Sequence, residues 1–209
     1  MAEQRQPAAP EASPADAVRG HFLASAEAQR AAADVLAGPV ADAARRIAAA
    51  LGAGNKVLLC GNGGSAGDAQ HFAGELVGRF QLRGRAALPA LALTTDGVVL
   101  TCVANDFAYE EVFSRQVEAF ARPGDVVVGI STSGRSPNVL RALEAARGRG
   151  ATTVALVGGA VGPIGAAADV AVAVPSADTT RIQECHITAI HAICDLVERA
   201  LAGDVERGT

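Results

Sequence analysis

The chain has 209 residues, of which 50% are hydrophobic and 19% are charged. This is enough apolar material to form a core, so wholesale disorder is excluded, and the length suits one domain with extra elements better than two domains. The formal net charge is −4, the basic residues are scattered singly, and the chain contains six Phe, one Tyr and no Trp. These features argue against a nucleic-acid groove, which needs clustered positive charge or a platform of stacked aromatic rings.

The N-terminal quarter of the chain divides into two parts. Residues 1–15 carry prolines and charges but no continuous apolar block, which predicts a disordered tail rather than a secretory signal. Residues 16–52 repeat apolar side chains at helical spacing, with a break at Gly38 and Pro39. The sequence therefore predicts an N-terminal helical segment, built either as two helices or as one kinked helix, that forms one structural unit with an α/β domain over 53–203.

Five short, nearly continuous apolar runs follow, as expected for strands that are buried on both faces of a sheet. The predicted strands are 56–60, 90–94, 125–131, 152–157 and 169–174. The predicted helices between and after them are 65–80, 109–121, 137–149 and 180–202. This alternation predicts an α/β fold with a doubly wound, five-stranded parallel sheet flanked by helices. Glycines interrupt the apolar stretch 151–174, so no membrane span is predicted.

The loop Gly61-Asn62-Gly63-Gly64-Ser65 directly follows the first predicted strand and opens a helix. Glycines at such a turn let backbone amides approach an oxyanion, and Ser65 could cap the helix or reach a ligand. The spacing differs from the dinucleotide fingerprint G-x-G-x-x-G, and no acidic residue ends the second strand to hold a ribose. A tight strand-to-helix turn without a ligand is the alternative.

A second loop, Ser131-Thr132-Ser133-Gly134-Arg135-Ser136, follows the third predicted strand. Pro137 stands at the favoured first position of the next helix, with Ser136 as the expected N-cap. Hydroxyls, backbone amides and the positive end of the helix dipole would meet there. The loop therefore predicts a phosphate site without lysine, because a simple cap needs only Ser136.

Two pairs of polar residues share helix faces. His71 and Glu75 are one turn apart, and Gln183 and His191 are eight residues apart along one stripe. Together they could form a ligand set of nitrogen and oxygen atoms for zinc or a similar divalent ion. Each pair alone is more often a pair of solvated or core residues than of ligands, and spacing does not show whether the helices meet.

The other polar positions carry weaker signals. Asn105-Asp106, after an apolar run, reads as a polar loop, either a simple turn or a ligand contact. His21 and His186 are expected to be structural. The four cysteines, Cys60, Cys102, Cys185 and Cys194, form no C-x-x-C pair, which favours free thiols and a cytoplasmic protein.

Four blocks of the sequence are similar to a known family: GNGGSAGDAQHFAGELVGRF, VANDFAYEEVFSRQV, GDVVVGISTSGRSPNVLRAL and RIQECHITAIHAICDLVE. Over residues 20–202 the chain resembles the phosphoheptose isomerases, which are built on the sugar isomerase (SIS) domain. The resemblance implies a SIS-type fold and an aldose-ketose isomerase. The implied reaction converts sedoheptulose 7-phosphate to D-glycero-D-manno-heptose 7-phosphate through an enediolate, as the first step towards activated heptose for products such as lipopolysaccharide.

The resemblance also implies roles for individual residues. The phosphate group would be held by Ser131, Thr132, Ser133 and Ser136. The rest of the substrate would contact Asn62, Gly63, Gly64, Ser65, Glu75, Asn105, Asp106 and Gln183. A divalent metal ion, expected to be Zn²⁺, would be held by His71, Glu75, Gln183 and His191. Glu75 and His191 would in addition exchange protons with the substrate.

Two non-catalytic alternatives belong to the same fold group. A bacterial regulator of replication initiation is similar but lacks the glutamate and histidine that correspond to Glu75 and His191, which this chain has. A phosphosugar sensor would use the same serine loop, but the tail is too short for the DNA-binding module that such sensors carry. The family is tetrameric with sites near subunit interfaces, so a homotetramer is expected.

Overall fold

The protein was analysed as a computed structural model, which describes residues 13–159 and 161–202. The helices are α1 (Pro14–Gly52), α2 (Gly64–Val77), α3 (Gly97–Asp106), α4 (Ser114–Phe120), α5 (Pro137–Gly148), α6 (Gly162–Ala167) and α7 (Thr179–Leu201). The strands are β1 (Val57–Gly61), β2 (Ala90–Ala92), β3 (Val126–Ser131), β4 (Thr152–Val157) and β5 (Val170–Ala173). Residues 1–12 of the predicted tail and residue 203 lie outside the described residues, whereas Pro14 and Ala15 already belong to α1.

The five strands form one parallel sheet in the order β2-β1-β3-β4-β5, which confirms the predicted fold class. Leu59 of β1 pairs with Ala92 of β2 on one side and with Val128 of β3 on the other. The chain therefore winds outward in both directions from the centre of the sheet. The direction of winding reverses between β1 and β3, and this is the point at which open α/β sheets bind ligands.

Helices cover both faces of the sheet, and alternate residues of each strand pack on opposite sides. Val57 and Leu59 of β1 share one core with buried side chains of α1, α2 and α7. Leu58 and Cys60 share a second core with α4, α5 and α6. Because every residue of β1 is buried, its apolar run is continuous rather than alternating.

The N-terminal segment is one helix rather than two. Pro39 lies inside α1 and has no N–H for the Val35 carbonyl, a loss that usually ends or kinks a helix. Leu36 and Val40 on either side are buried in the core shared with α7 and the sheet. This packing holds the helix together across the proline.

Two helices were absent from the sequence prediction. The Asp96 side chain caps α3 by accepting hydrogen bonds from the N–H groups of Val98 and Val99, each at 3.0 Å. Asn105 and Asp106 are the last residues of α3, so their interpretation as a loop was wrong. The short α6 separates β4 from β5, and the predicted helix 109–121 divides into a 3₁₀ turn (Tyr109–Glu111) and α4. Across the described ranges, no helix combines the length and the apolar character that a membrane crossing requires.

His186 joins α7 to the end of β4. Its side chain is fully buried, and Nε2 donates a hydrogen bond to the Val157 carbonyl at 3.1 Å. Burial lowers the pKa of His186 to about 4, although the bond to Val157 acts in the opposite direction. The residue fits the structural role expected from the sequence.

The unfolding free energy should therefore depend on pH through His186. In the unfolded chain a histidine is protonated below its ordinary pKa of 6.5, whereas folded His186 stays neutral down to about 4. We expect this residue to lower the unfolding free energy by on the order of 3 kcal/mol as the pH falls through that window. Urea unfolding at several pH values checks this, and a His186→Gln variant with an unchanged pH dependence would contradict it.

Candidate active site

The candidate site lies at the carboxyl ends of β1 and β3. The loop after β1 opens α2, and the loop after β3 opens α5. Because these strands are neighbours, both loops and both helix N-termini flank the position where the strand order reverses. The two motifs singled out in the sequence are therefore adjacent in the fold.

An amide pair connects the two loops. Asn62 donates from Nδ2 to Oδ1 of Asn138 at 2.9 Å, and Asn138 returns a hydrogen bond of the same length to Oδ1 of Asn62. Tyr109 also donates its hydroxyl to Oδ1 of Asn62 at 3.0 Å. Asn138 and Tyr109 were missed by sequence reasoning, although both stand inside the motif blocks, Asn138 directly after Pro137. They fix the orientation of the predicted sugar-binding residue Asn62.

The start of α2 differs in detail from the sequence prediction. Gly63, with φ +55°, occupies the N-cap position, so Ser65 lies in the first turn and does not cap the helix. A β-carbon at Gly64 would collide with the side-chain amide of Gln183. Glycine at this position is therefore what lets Gln183 of α7 approach the backbone of the loop.

The serine loop after β3 forms a compact group of hydroxyls. Ser131 Oγ lies 2.9 Å from Ser136 Oγ and 3.3 Å from Ser133 Oγ. Ser136 occupies the N-cap position of α5 as expected, but its side chain makes no capping hydrogen bond and faces Ser131 instead. In the first turn of α5, Pro137 has no N–H, and the Val139 N–H donates to Oδ1 of its neighbour Asn138 at 3.0 Å. An anion here would therefore be favoured by the helix dipole and the serine hydroxyls rather than by a row of open N–H groups.

A cavity of about 540 Å³ opens beside this loop. Its walls include Thr132, Ser133 and Arg135 from the loop, together with Gly158 after β4 and Thr179 of α7. A β-carbon at Gly158 would collide with the Thr132 carbonyl oxygen, so glycine keeps the two loops close together. Pro175, Ala177 and Ile182 add apolar groups to the wall, while the hydroxyls and the arginine suit a phosphate group.

The predicted proton-transfer residues meet between α2 and α7. His71 Nε2 lies 2.9 Å from His191 Nε2 and 3.4 Å from Glu75 Oε1. The ring of Phe80 packs against His191 with centroids 5.4 Å apart. The structure thus brings together three of the four residues that were predicted as metal ligands.

Gln183, the fourth predicted ligand, contacts a different residue. Its Nε2 donates to Oδ2 of Asp68 at 3.3 Å. Burial raises the pKa of Asp68, while the bond from Gln183 and the nearby His71 act to lower it. Sequence reasoning missed Asp68, although it precedes His71 by three positions on the same helix face. In the described part of the chain, no group of three or more His, Cys, Asp or Glu side chains is arranged to hold a metal ion.

Asn105 and Asp106 contact each other at the end of α3. Asn105 Nδ2 donates to Asp106 Oδ1 at 2.8 Å, and Cys102 Sγ lies 3.4 Å from Asp106 Oδ2. All three residues are exposed at the end of α3. Tyr109, which reaches Asn62, follows this helix and brings the segment towards the loop after β1.

The fold and the site together define a protein of the SIS class, with a serine-rich loop at the carboxyl edge of a parallel sheet and a group of two histidines and a glutamate between α2 and α7. In agreement, the family model described as SIS domain matches residues 21–158. A phosphoheptose isomerase of Trichlorobacter lovleyi is 55% identical over 168 residues, which is 80% of this chain and 85% of that protein.

Two solved structures are also similar. Phosphoheptose isomerase GmhA of Neisseria gonorrhoeae has a TM-score of 0.84 and 44% identity, covering 90% of this chain and 100% of that one. A phosphoheptose isomerase of Francisella tularensis has a TM-score of 0.86 and 35% identity, with the same coverage of both chains. The chain belongs to the phosphoheptose isomerase family, and it is a sugar-phosphate isomerase.

Proposed function

We propose that the protein converts sedoheptulose 7-phosphate to D-glycero-D-manno-heptose 7-phosphate, the first step towards activated heptose. The observation that carries this proposal is the meeting of His71, Glu75 and His191 in a chain 55% identical to a phosphoheptose isomerase. The non-catalytic alternatives gain no support, because the relatives compared above are named as isomerases. Four unpaired cysteines fit an enzyme of the reducing cytoplasm.

Phosphate binding is assigned to the loop after β3. The hydroxyls of Ser133 and Ser136 both lie within hydrogen-bond distance of the Ser131 hydroxyl and form a small cluster of donors with it, and Thr132 lines the cavity beside them. The N-terminus of α5 adds the positive end of its dipole. Neutral donors of this kind can hold a phosphate group without a lysine.

The sugar chain is assigned to the loop after β1 and to the polar residues around it. Asn62, Gly63, Gly64 and Ser65 offer an amide side chain, backbone groups and a hydroxyl near the start of α2. The amide pair with Asn138 holds the Asn62 side chain in a single orientation. The direction of the second N–H of its amide group is therefore fixed as well. Gln183, Asn105 and Asp106 complete the proposed contacts, with Gln183 held next to Gly64.

The isomerisation requires one base that moves a proton from carbon C1 to C2. It also requires one acid-base group that moves a proton between the oxygens O1 and O2. Glu75 removes the proton from C1 of the open-chain ketose and returns it to C2 on the same face. His191 moves the proton between the O1 and O2 positions as the cis-enediolate forms and collapses. His71 lies within hydrogen-bond distance of His191 and near Glu75, so it can orient both groups.

A divalent metal ion, proposed to be Zn²⁺, suits the same residues. His71 Nε2 contacts both His191 Nε2 and Glu75 Oε1, so the three side chains would have to turn from one another towards an ion. Imidazole nitrogens and a carboxylate oxygen are ligand types that suit zinc. His71, Glu75 and His191 would hold the ion, with Gln183 as a fourth ligand in exchange for its contact with Asp68. When bound, the ion would stabilise negative charge on the substrate oxygens.

We also propose that the protein is a homotetramer with its sites near subunit interfaces. Helix α1 exposes Val18, Phe22, Leu23 and Val35, with Phe22 74% exposed. An apolar groove of about 210 Å³, lined largely by alanines, runs between α1 and α7. Large exposed apolar side chains and an apolar groove on one helix are typical of a face that packs against another subunit.

The isomerase reaction is tested by proton NMR of sedoheptulose 7-phosphate with the protein in deuterated water. We expect an aldose anomeric signal and deuterium in the sugar, because the abstracted proton exchanges with solvent. Glu75→Gln should lower turnover by roughly 10²- to 10⁴-fold, whereas Glu144→Gln, on the exposed face of α5, should not. Near-normal turnover of Glu75→Gln would refute its role as base. Binding without aldose or deuterium uptake would favour a phosphosugar-binding regulator.

Metal binding is tested directly by calorimetric titration of chelator-treated protein with Zn²⁺. We expect one ion per subunit and a loss of affinity of at least about 10-fold in His71→Ala, because an imidazole ligand is removed. His21→Ala is the matched control, since His21 lies on α1 and contacts Arg181 rather than the site. Equal Zn²⁺ binding by the wild type and both variants would show that these residues do not hold the ion.

The oligomeric state is tested by light scattering at micromolar concentration. We expect about four times the chain mass of 21.0 kDa for the wild type. Phe22→Glu should lower the mass because it places a charge on the apolar face of α1, whereas Phe120→Glu, on α4, should not. A monomeric wild type would overturn the proposal.

A further inference from the structure

Glu198 connects α7 to the segment that follows α2. Its side chain is 1% exposed and lies two turns beyond His191 on the same helix. The carboxylate accepts hydrogen bonds from Arg85 Nε at 2.6 Å and from three consecutive backbone N–H groups, those of Phe80, Gln81 and Leu82, at 2.7 to 2.9 Å. Burial alone would raise the pKa of Glu198, but these four donors lower it to about 2, so the group stays charged.

Phe80 links Glu198 to His191, one of the proposed proton-transfer residues. The backbone N–H of Phe80 donates to Glu198 at 2.7 Å, and the ring of Phe80 packs against His191, tilted by 32°. Fixing the backbone of Phe80 therefore also restricts the position of the aromatic ring that packs against the His191 imidazole.

Arg85 connects the same segment to the end of α2. Its side chain is 4% exposed, and Nη2 donates to the carbonyl oxygen of Glu75 at 2.6 Å. Nη1 donates to the carbonyl oxygen of Leu76 at 2.9 Å. Both carbonyls belong to the last turn of the helix, where no helical N–H is available as a partner, and a cation there is also favoured by the helix dipole. Arg85 thus binds the backbone carbonyl of Glu75, the proposed base.

We propose that the buried ion pair of Arg85 and Glu198 positions Glu75 and His191 for proton transfer, so that Arg85, Glu198 and Phe80 are positioning residues of the isomerase. One member of the pair holds the backbone of the base, and the other holds the ring that supports the imidazole. This inference rests on the proposed function.

A purely stabilising role would not require this arrangement. A buried ion pair stabilises a fold little relative to well-packed apolar residues, because removing two charges from water offsets their attraction. Proton transfer, in contrast, is sensitive to displacements of about 1 Å, which can lower the rate on the order of 100-fold. The pair therefore matters most through the geometry that it imposes on the site.

The test measures kcat and KM for sedoheptulose 7-phosphate in Glu198→Gln and Phe80→Leu, well below the unfolding temperature of each variant. In Glu198→Gln we expect kcat to fall by roughly 10- to 100-fold. Phe80→Leu, which keeps the ion pair but removes the ring from His191, should also lower kcat. KM should change little in both, because the phosphate is held by the loop after β3.

Asp125→Asn is the matched control. The Asp125 side chain is 2% exposed and binds Lys56 Nζ at 2.6 Å and the N–H groups of Lys56 and Arg122, but it lies at the opposite end of β3 from the site. This variant should lose stability and keep kcat near the wild-type value.

The outcomes separate the two proposals. An inactive wild type would refute the isomerase function, whereas an active wild type with unchanged kcat in Glu198→Gln would overturn the positioning role alone. An equal loss of kcat in Asp125→Asn would show a general effect of stability and would also overturn it. If Glu198→Gln does not fold, Phe80→Leu decides, and full kcat in that variant overturns the proposal.

Discussion

The reversal of strand order between β1 and β3 is the constraint on which the site depends. It places two strand-to-helix loops side by side while sending α2 to one face of the sheet and α5 to the other. Two helix N-termini consequently point at one crevice, which concentrates backbone N–H groups and positive potential there. The two hydrogen bonds between Asn62 and Asn138 connect the loops to each other. A phosphosugar can then contact both loops at once.

Helix α7 supplies the second half of the framework. Gln183 reaches Asp68, His191 faces His71, and Glu198 holds the segment after α2. These positions are eight and seven residues apart, close to whole turns of a helix, so one stripe contacts α2 and the segment after it along its length. His186 lies off that stripe and ties the helix to β4. Because a single packed helix carries all three contacts, the residues keep their mutual spacing, which a flexible loop would not ensure.

The sequence predicted the sheet well because strands buried on both faces leave continuous apolar runs between helical stretches. It also placed the glycine and serine loops correctly, since chain order fixes which loops follow which strands. It missed α3, whose cap at Asp96 is a single side chain and whose β-branched residues are poor helix formers. Contacts between distant residues, such as Arg85 with Glu198, left no local pattern to detect. The N-cap position of Ser136 was predicted correctly from its spacing. The direction of its hydroxyl, which faces Ser131, could not be predicted in this way.

The distribution of charge within the site follows from what each part must do. The proposed phosphate loop offers hydroxyls and the exposed Arg135 next to an open cavity, where a partly hydrated phosphate needs no buried counter-charge. The buried arginine is instead placed behind the proton-transfer group, bound to backbone carbonyls and to Glu198. Hydrogen bonds between charged groups are roughly twice as strong as neutral ones, and a dry environment strengthens them further. In the proposed arrangement, the charged contacts hold the residues that transfer protons, whereas the serine hydroxyls bind a ligand that must also leave.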